Sequence, residues 1–438
     1  MILPMALQNL LASLVSASDA IMLGVLNQDS LSAVSLASRV TFMAHIILIG
    51  VIGGMAALAA QYWGKKDEKT VEQVLGMSLR YTLLFMGLLF LGAVFCPWIF
   101  MHFLTNDPVL IDLGNRYLRI VGVSYLFMGI SQVYLTMMKN TNRVARSSAY
   151  GSVAVVLNIV LNAFLIYGLF GLPQLGIEGA AIATTISRGV ELILVLIENR
   201  KKDVVRMIPA KILHTPKLLE QDFWKITLPV LGNLVTWGFA MTVYSSIIGH
   251  MGNDAVAAHS ISNIVKDCVD CVGGGCATGA AILLGNTLGR GDLAQAKKDG
   301  ARFVRTSFFV GACAGLVILA ITPAILHFST NLSDGAHQLL KYMLFICSYY
   351  MIGRSLNTTI INGVFQAGGD TRFSFWCDLV NLYVIILPIS LLGAFVFHWP
   401  VMVVYFILYL DEFTKLPIEY VHYKKYIWVK DLTREQME

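Results

Sequence analysis

Apolar stretches long enough to cross a membrane recur along the whole chain. A helix needs about 20 apolar residues to span the hydrocarbon core of a bilayer, and twelve such stretches occur in the 438 residues. They cover residues 2–26, 31–61, 75–103, 117–138, 147–170, 176–198, 226–250, 255–287, 302–328, 338–363, 374–396 and 399–423. Too few residues remain between them for a sizeable soluble domain. The sequence therefore predicts an all-α polytopic membrane protein with twelve transmembrane helices.

The overall composition excludes several other classes of protein. Apolar residues make up 56% of the chain and charged residues only 13%, whereas soluble domains contain roughly 25% charged residues. The net charge of +5 is too small to indicate a polyanionic partner, so we expect no nucleic-acid binding. A soluble enzyme, a disordered chain and a nucleic-acid binder are therefore excluded.

Lysine and arginine are concentrated in alternate connections between the predicted helices. Seven of them lie in residues 199–225, and others follow the second, fourth, eighth and tenth helices. The opposite loops at 27–30, 170–176, 250–254 and 397–399 contain none. Because positive residues remain on the cytoplasmic side, we expect a multi-pass protein of the plasma (inner) membrane with both termini in the cytoplasm.

The two halves of the sequence resemble each other at a fixed offset. Shifting the chain by 225 residues places Leu3-Pro4 on Leu228-Pro229 and Gly64-Lys65-x-Asp67 on Gly289-Arg290-x-Asp292. Each half contains six predicted helices, so both begin on the same side of the membrane. The sequence thus predicts an N-lobe (1–198), a cytoplasmic linker (199–225) and a C-lobe (226–438), related by a pseudo-two-fold axis along the membrane normal.

Two parallel six-helix lobes are typical of transporters that work by alternating access, with the substrate bound near the bilayer midplane. Neither a zinc motif nor a Ser–Lys catalytic arrangement stands out in the sequence. We therefore expect a transporter rather than an enzyme, with the lipid bilayer as its environment, no bound metal or organic cofactor, and a monomeric state.

The first helix contains an acidic residue at a depth where charge is costly. Asp19 precedes the loop at residue 27 by eight residues, or roughly 12 Å along a helix. Protonation or cation binding can switch a carboxylate in such a place, so Asp19 is a candidate for coupling-ion binding. Arg39 on the second helix lies at a similar depth, and a static Asp19–Arg39 pair is the alternative. Pro4, fifteen residues before Asp19, is a candidate hinge.

The fifth and sixth helices offer polar oxygens in the same lobe. Asn158 and Asn162 are spaced i, i+4 and share one face of a helix, and Thr184 and Thr185 follow on the next helix. Amide and hydroxyl oxygens suit a hard monovalent cation or a proton-linked hydrogen-bond network. Polar packing between helices is the alternative explanation.

The eighth helix carries several charges within an apolar stretch. Lys266 and Asp270 have the i, i+4 spacing of an ion pair, which would leave Asp267 over as a cavity-lining candidate. Cys268-x-x-Cys271 lacks a second Cys or His pair at zinc-site spacing, so no metal site is predicted.

The remaining C-lobe candidates are aromatic or charged. Trp237 and Tyr244 lie on the seventh helix, where Tyr244 is the repeat counterpart of Asp19, and aromatic faces attract organic cations. We include both in a possible substrate cavity with Arg39, Lys266, Asp267 and Asp270. Further charges occur at Arg354, Asp378, Asp411, Glu412 and Lys415, and we expect Asp411 to pair with Lys415.

Taken together, these motifs make the chain resemble the multidrug and toxic compound extrusion (MATE) family over nearly its whole length. The motifs that carry the resemblance are Leu3-Pro4, Ser18-Asp19, Gln61-x-x-Gly64, Asn158-x-x-x-Asn162, Gly179-Ala180-Ala181, Gly285-Asn286-x-x-Gly289 and Gln366-Ala367-Gly368-Gly369-Asp370-Thr371. The resemblance implies cation-driven export of organic cations, with protons or sodium ions returning inward. It also implies a coupling site made of Asp19, Asn158, Asn162 and Thr184.

The chain departs from the family pattern at two places. The family's helix 5 carries an aspartate where this chain has Asn162, and the acids expected on helices 7 and 10 are replaced by Trp237 and by Ser355 beside Arg354. These differences are closer to the DNA-damage-inducible-protein-F-like branch. A lipid-linked precursor flippase of the same superfamily is the alternative function, although such a protein is expected to have a more cationic cavity.

Overall fold

A computed structural model of the protein describes residues 2–24, 28–168, 173–201, 203–213, 215–329 and 332–434. This part of the chain is almost entirely helical and contains no β-strand. The helices of the first half are α1 (Ile2–Gly24), α2 (Gln28–Gly64), α3 (Glu68–Phe95), α4 (Pro97–Leu104), α5 (Pro108–Asn140), α6 (Val144–Tyr167), α7 (Gly176–Asn199) and α8 (Pro209–Leu213).

The second half contains the helices α9 (Lys217–His250), α10 (Asn253–Gly289), α11 (Leu293–Phe328), α12 (Asp334–Thr358), α13 (Thr371–Val380), α14 (Leu387–Leu391), α15 (Val401–Leu408) and α16 (Asp411–Lys424). Three π-helical segments interrupt its α-helices, namely π1 (Thr359–Phe365), π2 (Asn381–Ile386) and π3 (Leu392–Val396). Such segments are rare and are frequently found at functional sites.

A helix or helix pair coincides with each of the twelve predicted spans, so the all-α polytopic fold is confirmed. Among the described residues, nine helical segments are long and apolar enough to cross a membrane without interruption. The predicted span 75–103 is instead divided into α3 and α4 at Cys96, because Pro97 begins the new helix. The span 399–423 is divided between α15 and α16 at Tyr409 and Leu410.

The structure repeats local features at the predicted offset of 225 residues. Helices α2 and α10 each have 37 residues and begin at positions 28 and 253. The turn after each contains a residue with positive φ, Lys66 at 63° and Gly291 at 79°. Asp67 then accepts a hydrogen bond from the Thr70 amide at 3.1 Å, and Asp292 accepts one from the Gln295 amide at 2.9 Å. Both turns therefore end with the same N-cap.

The chain divides into two compact units. One contains residues 11–227, in which α5 packs against α2, α3 and α7, and α6 packs against α7. Gly179 permits a close approach of α6 and α7, because a Cβ atom there would lie 2.5 Å from the Leu165 carbonyl oxygen.

The other unit contains residues 2–10 and the chain from Leu228 onward. In this unit α12 packs against α10, α11 and α16. Its largest buried cluster is rich in tyrosine and includes Tyr244, Tyr350, Tyr405 and Tyr409. The polar groups described below lie beside this cluster.

Candidate functional site

A chain of neutral hydrogen bonds connects the polar residues of the N-lobe. Asn162 Nδ2 donates to Asn158 Oδ1 at 3.3 Å, and Asn158 Nδ2 donates to Thr184 Oγ1 at 3.3 Å. Thr184 in turn donates to the Ala180 carbonyl at 3.0 Å. Both asparagines are buried. The structure thus brings together Asn158, Asn162 and Thr184, whereas Thr185 donates to the carbonyls of Ala181 and Ile120.

Asp19 belongs to α1, the neighbouring part of the same lobe in sequence. Its side chain lies outside the described residues, so its role as a coupling acid stays a prediction. Pro4 lies in the first turn of α1, where proline removes no intrahelical hydrogen bond. Its repeat counterpart Pro229 lies inside α9. Arg39 is exposed on α2 and makes no ion pair with any residue that the structure describes.

The C-lobe contains a continuous network of ion pairs. Arg354 on α12 contacts Asp270 through Nε at 3.2 Å and Glu412 through Nη1 at 3.1 Å. Lys415 contacts Glu412 at 3.1 Å and Asp378 at 2.9 Å. Four helices therefore contribute charges to one network: α10, α12, α13 and α16.

Two predicted pairings are wrong. Asp270 pairs with Arg354 rather than with Lys266, because Arg354 approaches it from a different helix. Lys415 pairs with Asp378 and Glu412 rather than with Asp411. In both cases a tertiary contact replaces the partner that local helical spacing favoured.

Amide groups complete the hydrogen bonding of this network. Asn357 Nδ2 donates to Glu412 Oε2 at 2.7 Å, and Asn233 Nδ2 donates to Asp378 Oδ2 at 2.6 Å. Buried ion pairs are tolerated when their remaining lone pairs are satisfied in this way.

The network borders a polar cavity of about 110 Å³ within the C-lobe. The Trp237 ring lies over the Arg354 guanidinium, whose central carbon is 5.4 Å from the ring centroid. The cavity is lined by Asn233, Leu234, Trp237, Arg354, Asn357, Thr358, Ile361, Asn362, Asp378, Glu412 and Lys415. Its size suits a few water molecules, each of which occupies about 30 Å³ in the liquid, and it is too small for a drug.

Lys266 lies in a separate, tyrosine-lined environment. Its Nζ donates to Asn263 Oδ1 at 3.0 Å and lies 5.2 Å from the Tyr409 ring centroid and 5.7 Å from that of Tyr350. These cation–π contacts stabilise the ammonium group. Asp267 is exposed and Tyr244 is buried in the apolar cluster. The predicted substrate residues are therefore distributed over several environments, and only Trp237 lines the cavity described above.

Sequence reasoning missed a second N-lobe cluster. Glu191 on α7 is fully buried, accepts a hydrogen bond from Gln132 Nε2 at 2.6 Å and pairs with Arg188 at 2.7 Å. The i, i+3 spacing of Arg188 and Glu191 inside an apolar helix was the available signal.

Another missed cluster closes the cytoplasmic end of α7, as judged by the predicted topology. Glu198 is fully buried and pairs with Arg143, Arg146 and Lys201. Tyr150 also donates a hydrogen bond to it at 2.8 Å.

Comparison with known proteins agrees with this architecture. The MatE family profile matches the chain twice, over residues 4–164 and 229–392, and the starts of the two matches differ by the offset of the repeat. The chain is 25% identical over 392 residues to the probable multidrug resistance protein YoeA of Bacillus subtilis, covering 88% of this chain and 83% of that protein.

A second relative has a similar description. The chain is 25% identical over 417 residues to the probable multidrug resistance protein NorM of Bradyrhizobium diazoefficiens, covering 90% of this chain and 85% of that protein. Among solved structures, a Vibrio cholerae MATE transporter superposes with a TM-score of 0.89 at 16% identity, covering 98% of this chain and 96% of that one. The duplicated helical fold and both profile matches show that this chain belongs to the MATE family of multi-pass membrane transporters.

Proposed function

We propose that this protein exports organic cations across the inner membrane in exchange for protons or sodium ions that move inward. The proposed orientation places both termini in the cytoplasm, as the distribution of Lys and Arg favours. Membership of the MATE family supports drug efflux as the transport activity. The coupling ion, the cationic substrate and the antiport mechanism are the additional parts of this proposal.

The buried chain of Asn162, Asn158 and Thr184 is the observation that carries the proposal. Neutral amide and hydroxyl groups on facing helices of an apolar bundle can bind a cation without burying a permanent charge. Together with Asp19 on α1, they would provide one carboxylate and several neutral oxygens. Loading this site must alter drug affinity, since exchange requires a coupling free energy between the two ligands.

The central experiment measures efflux of a fluorescent organic cation in inverted membrane vesicles, with proton and sodium gradients applied separately. We expect Asp19→Asn to abolish gradient-driven efflux while leaving the amount of protein in the membrane unchanged. Asp29→Asn is the matched control, because Asp29 is an exposed acid at the start of α2. Normal efflux by Asp19→Asn would contradict the assignment.

A second substitution tests the neutral oxygens of the same site. Asn162→Asp adds the carboxylate that the family pattern has at this position, so we expect a stronger dependence of efflux on sodium. An ion response identical to that of the unmodified protein would exclude Asn162 as a ligand.

The lipid-linked precursor flippase alternative has less support. Its pyrophosphate substrate would favour a cationic cavity, whereas the C-lobe cavity has Asp378 and Glu412 beside Arg354 and Lys415. The described relatives are also named as multidrug resistance proteins.

A further inference from the structure

Glu419 on α16 is a fully buried carboxyl group outside the sites discussed so far. Its side chain has no solvent exposure, and neither carboxyl oxygen has a hydrogen-bond partner in the described part of the chain. An ionised carboxylate in this position would cost several kcal/mol, whereas a neutral unsatisfied group costs about 1–3 kcal/mol. The geometry therefore favours a carboxyl group that holds a proton.

The surroundings of Glu419 contain both signs of charge. The titratable and charged groups on the helices packed around it are Glu412, Lys415 and Asp411 on α16, Arg354 on α12, and Cys377 and Asp378 on α13. His422 on α16 is occupied by Asp370, at 2.6 Å. The π1 and π2 segments, which also pack against α16, contribute no charged side chain.

Acids outnumber bases in this part of the C-lobe. Five carboxyl groups (Asp270, Asp378, Asp411, Glu412 and Glu419) accompany two cations, Arg354 and Lys415. Lys266 is held separately by Asn263 and tyrosine rings, and even with it the acids exceed the bases by two. Burial of such an excess is stabilised by protons on the least well paired acids, and Glu419 is unpaired.

Lys415 provides the means to release this proton. It precedes Glu419 by one helical turn, so the two side chains lie on the same face of α16. If Lys415 turns toward an ionised Glu419, Glu412 keeps Arg354 and Asn357, and Asp378 keeps Asn233. The network thus has a second arrangement in which no carboxylate is left without a donor.

A polar path leads from Lys415 toward the end of the lobe. The 110 Å³ cavity shares Asn233, Leu234, Ile361 and Asn362 with a smaller neighbouring cavity that extends to Gln366, Thr371 and Ser374. The connection at residues 366–371 is predicted to be cytoplasmic. Asn357 lines the larger cavity, is 1% exposed, and has no partner for Oδ1 in the described chain. An orphaned acceptor at the wall indicates that water or another donor occupies the cavity.

We propose that Glu419 is a proton-binding site of the C-lobe that exchanges its proton with the cytoplasm through this cavity. Glu419 does not line the cavity, whereas Lys415 and Asp378 do, so the proton passes by way of these two groups. Release of the proton moves Lys415 from Asp378 to Glu419, and binding returns it. The π1 and π2 segments border Thr358 and Val380 near the network. This site is separate from Asp19, and its existence does not depend on drug export.

The test uses infrared difference spectroscopy of the full-length protein in lipid nanodiscs during a pH change. All variants carry Asp19→Asn, so that the proposed coupling acid makes no contribution. We expect a protonated-carboxyl C=O band that shifts in D₂O and is lost on addition of Glu419→Gln. Glu178→Gln is the matched control, because the Glu178 side chain is 42% exposed, and the band should persist in it. A band unchanged by Glu419→Gln overturns the proposal.

Two further measurements keep the proposal falsifiable if Glu419→Gln does not fold. The Asp19→Asn protein by itself must show a pH-dependent protonated-carboxyl band, and its absence overturns the proposal. Addition of Lys415→Met removes the cation that would compensate an ionised Glu419, so the band should persist to higher pH. An unchanged midpoint overturns the role of Lys415. None of these readouts measures transport, so failure of the Glu419 site is distinguishable from failure of the proposed drug export.

Discussion

The two lobes place different chemistry at corresponding positions. Adding 225 to the numbers of Asp19, Asn158, Asn162 and Thr184 gives Tyr244, Tyr383, Leu387 and Tyr409. Three of these C-lobe residues belong to the buried apolar cluster, and Tyr383 packs against it. The polar ion-site candidates of the N-lobe therefore have an aromatic and aliphatic counterpart, which indicates that the duplicated fold has kept this site in one lobe.

A second pair of corresponding positions is polar in both lobes. In the N-lobe, Gln132 donates to Glu191, which pairs with Arg188 three residues earlier. In the C-lobe, Asn357 donates to Glu412, which pairs with Lys415 three residues later. Gln132 and Asn357 are 225 residues apart, and the charged positions are 224 apart, so the acid and base have exchanged places.

This contrast separates two uses of polar groups within one fold. In the N-lobe the Asn158–Asn162–Thr184 chain is neutral, and nothing in its hydrogen bonding requires an ion pair. In the C-lobe the charges satisfy one another across four helices. The C-lobe network should therefore contribute more to stability, and the N-lobe chain more to ligand binding.

The largest expected effect is that of Glu412→Gln. Its carboxylate is 1% exposed and contacts both Arg354 and Lys415, so neutralising it leaves two buried cations short of an acid. Breaking a buried pair costs about 3–5 kcal/mol. We expect a loss of this size in the free energy of unfolding, measured by denaturant titration in mixed micelles.

Glu191→Gln is the matched control in the other lobe. Its partner Arg188 is 31% exposed and can be hydrated when the acid is neutralised, so a loss of about 1–3 kcal/mol is expected. Equal losses for the two variants would contradict the proposed difference between the lobes.

The next effect concerns the contact between Asp270 and Arg354. Both side chains are about one quarter exposed, so solvent weakens the pair. A double-mutant cycle of Asp270→Asn and Arg354→Gln should give a coupling energy of about 1–2 kcal/mol. The same cycle with Lys266→Met in place of Arg354→Gln should give almost none. The opposite result would restore the Lys266–Asp270 pairing that helical spacing favours.

The errors of the sequence analysis follow from this same distinction. Hydrophobic length predicted the helices, and i, i+4 spacing placed Asn158 and Asn162 together, because both depend on local geometry. The partner of Asp270 is 84 residues away on α12, and no local pattern specifies that distance. Glu191 and Glu419 were missed because each is a single acid in a helix whose buried face depends on tertiary packing.

The N-caps after α2 and α10 test where the lobes are equivalent. Asp67 and Asp292 occupy corresponding positions and make the same bond to the third residue of the following helix. Replacing an N-cap aspartate by alanine costs about 1 kcal/mol. We expect Asp67→Ala and Asp292→Ala to lower the free energy of unfolding by similar amounts in the same denaturant titration. A loss confined to one variant would show that the repeat is not equivalent here.

The smallest stability effect is expected in the N-lobe site itself. Asn158→Leu removes two hydrogen bonds of 3.3 Å from a neutral chain, and hydrogen bonds between membrane helices contribute about 0.6 kcal/mol on average. The added apolar surface partly offsets this loss, so the unfolding free energy should change by about 1 kcal/mol or less. The dependence of efflux on the ion gradient should nevertheless be lost, because a leucine side chain offers no oxygen to a cation. Thr185→Val is the control, since Thr185 donates only to backbone carbonyls, and it should leave the ion response intact. A large loss of stability with normal ion dependence would instead assign the asparagines to helix packing, and the two lobes would then use their polar residues for the same purpose.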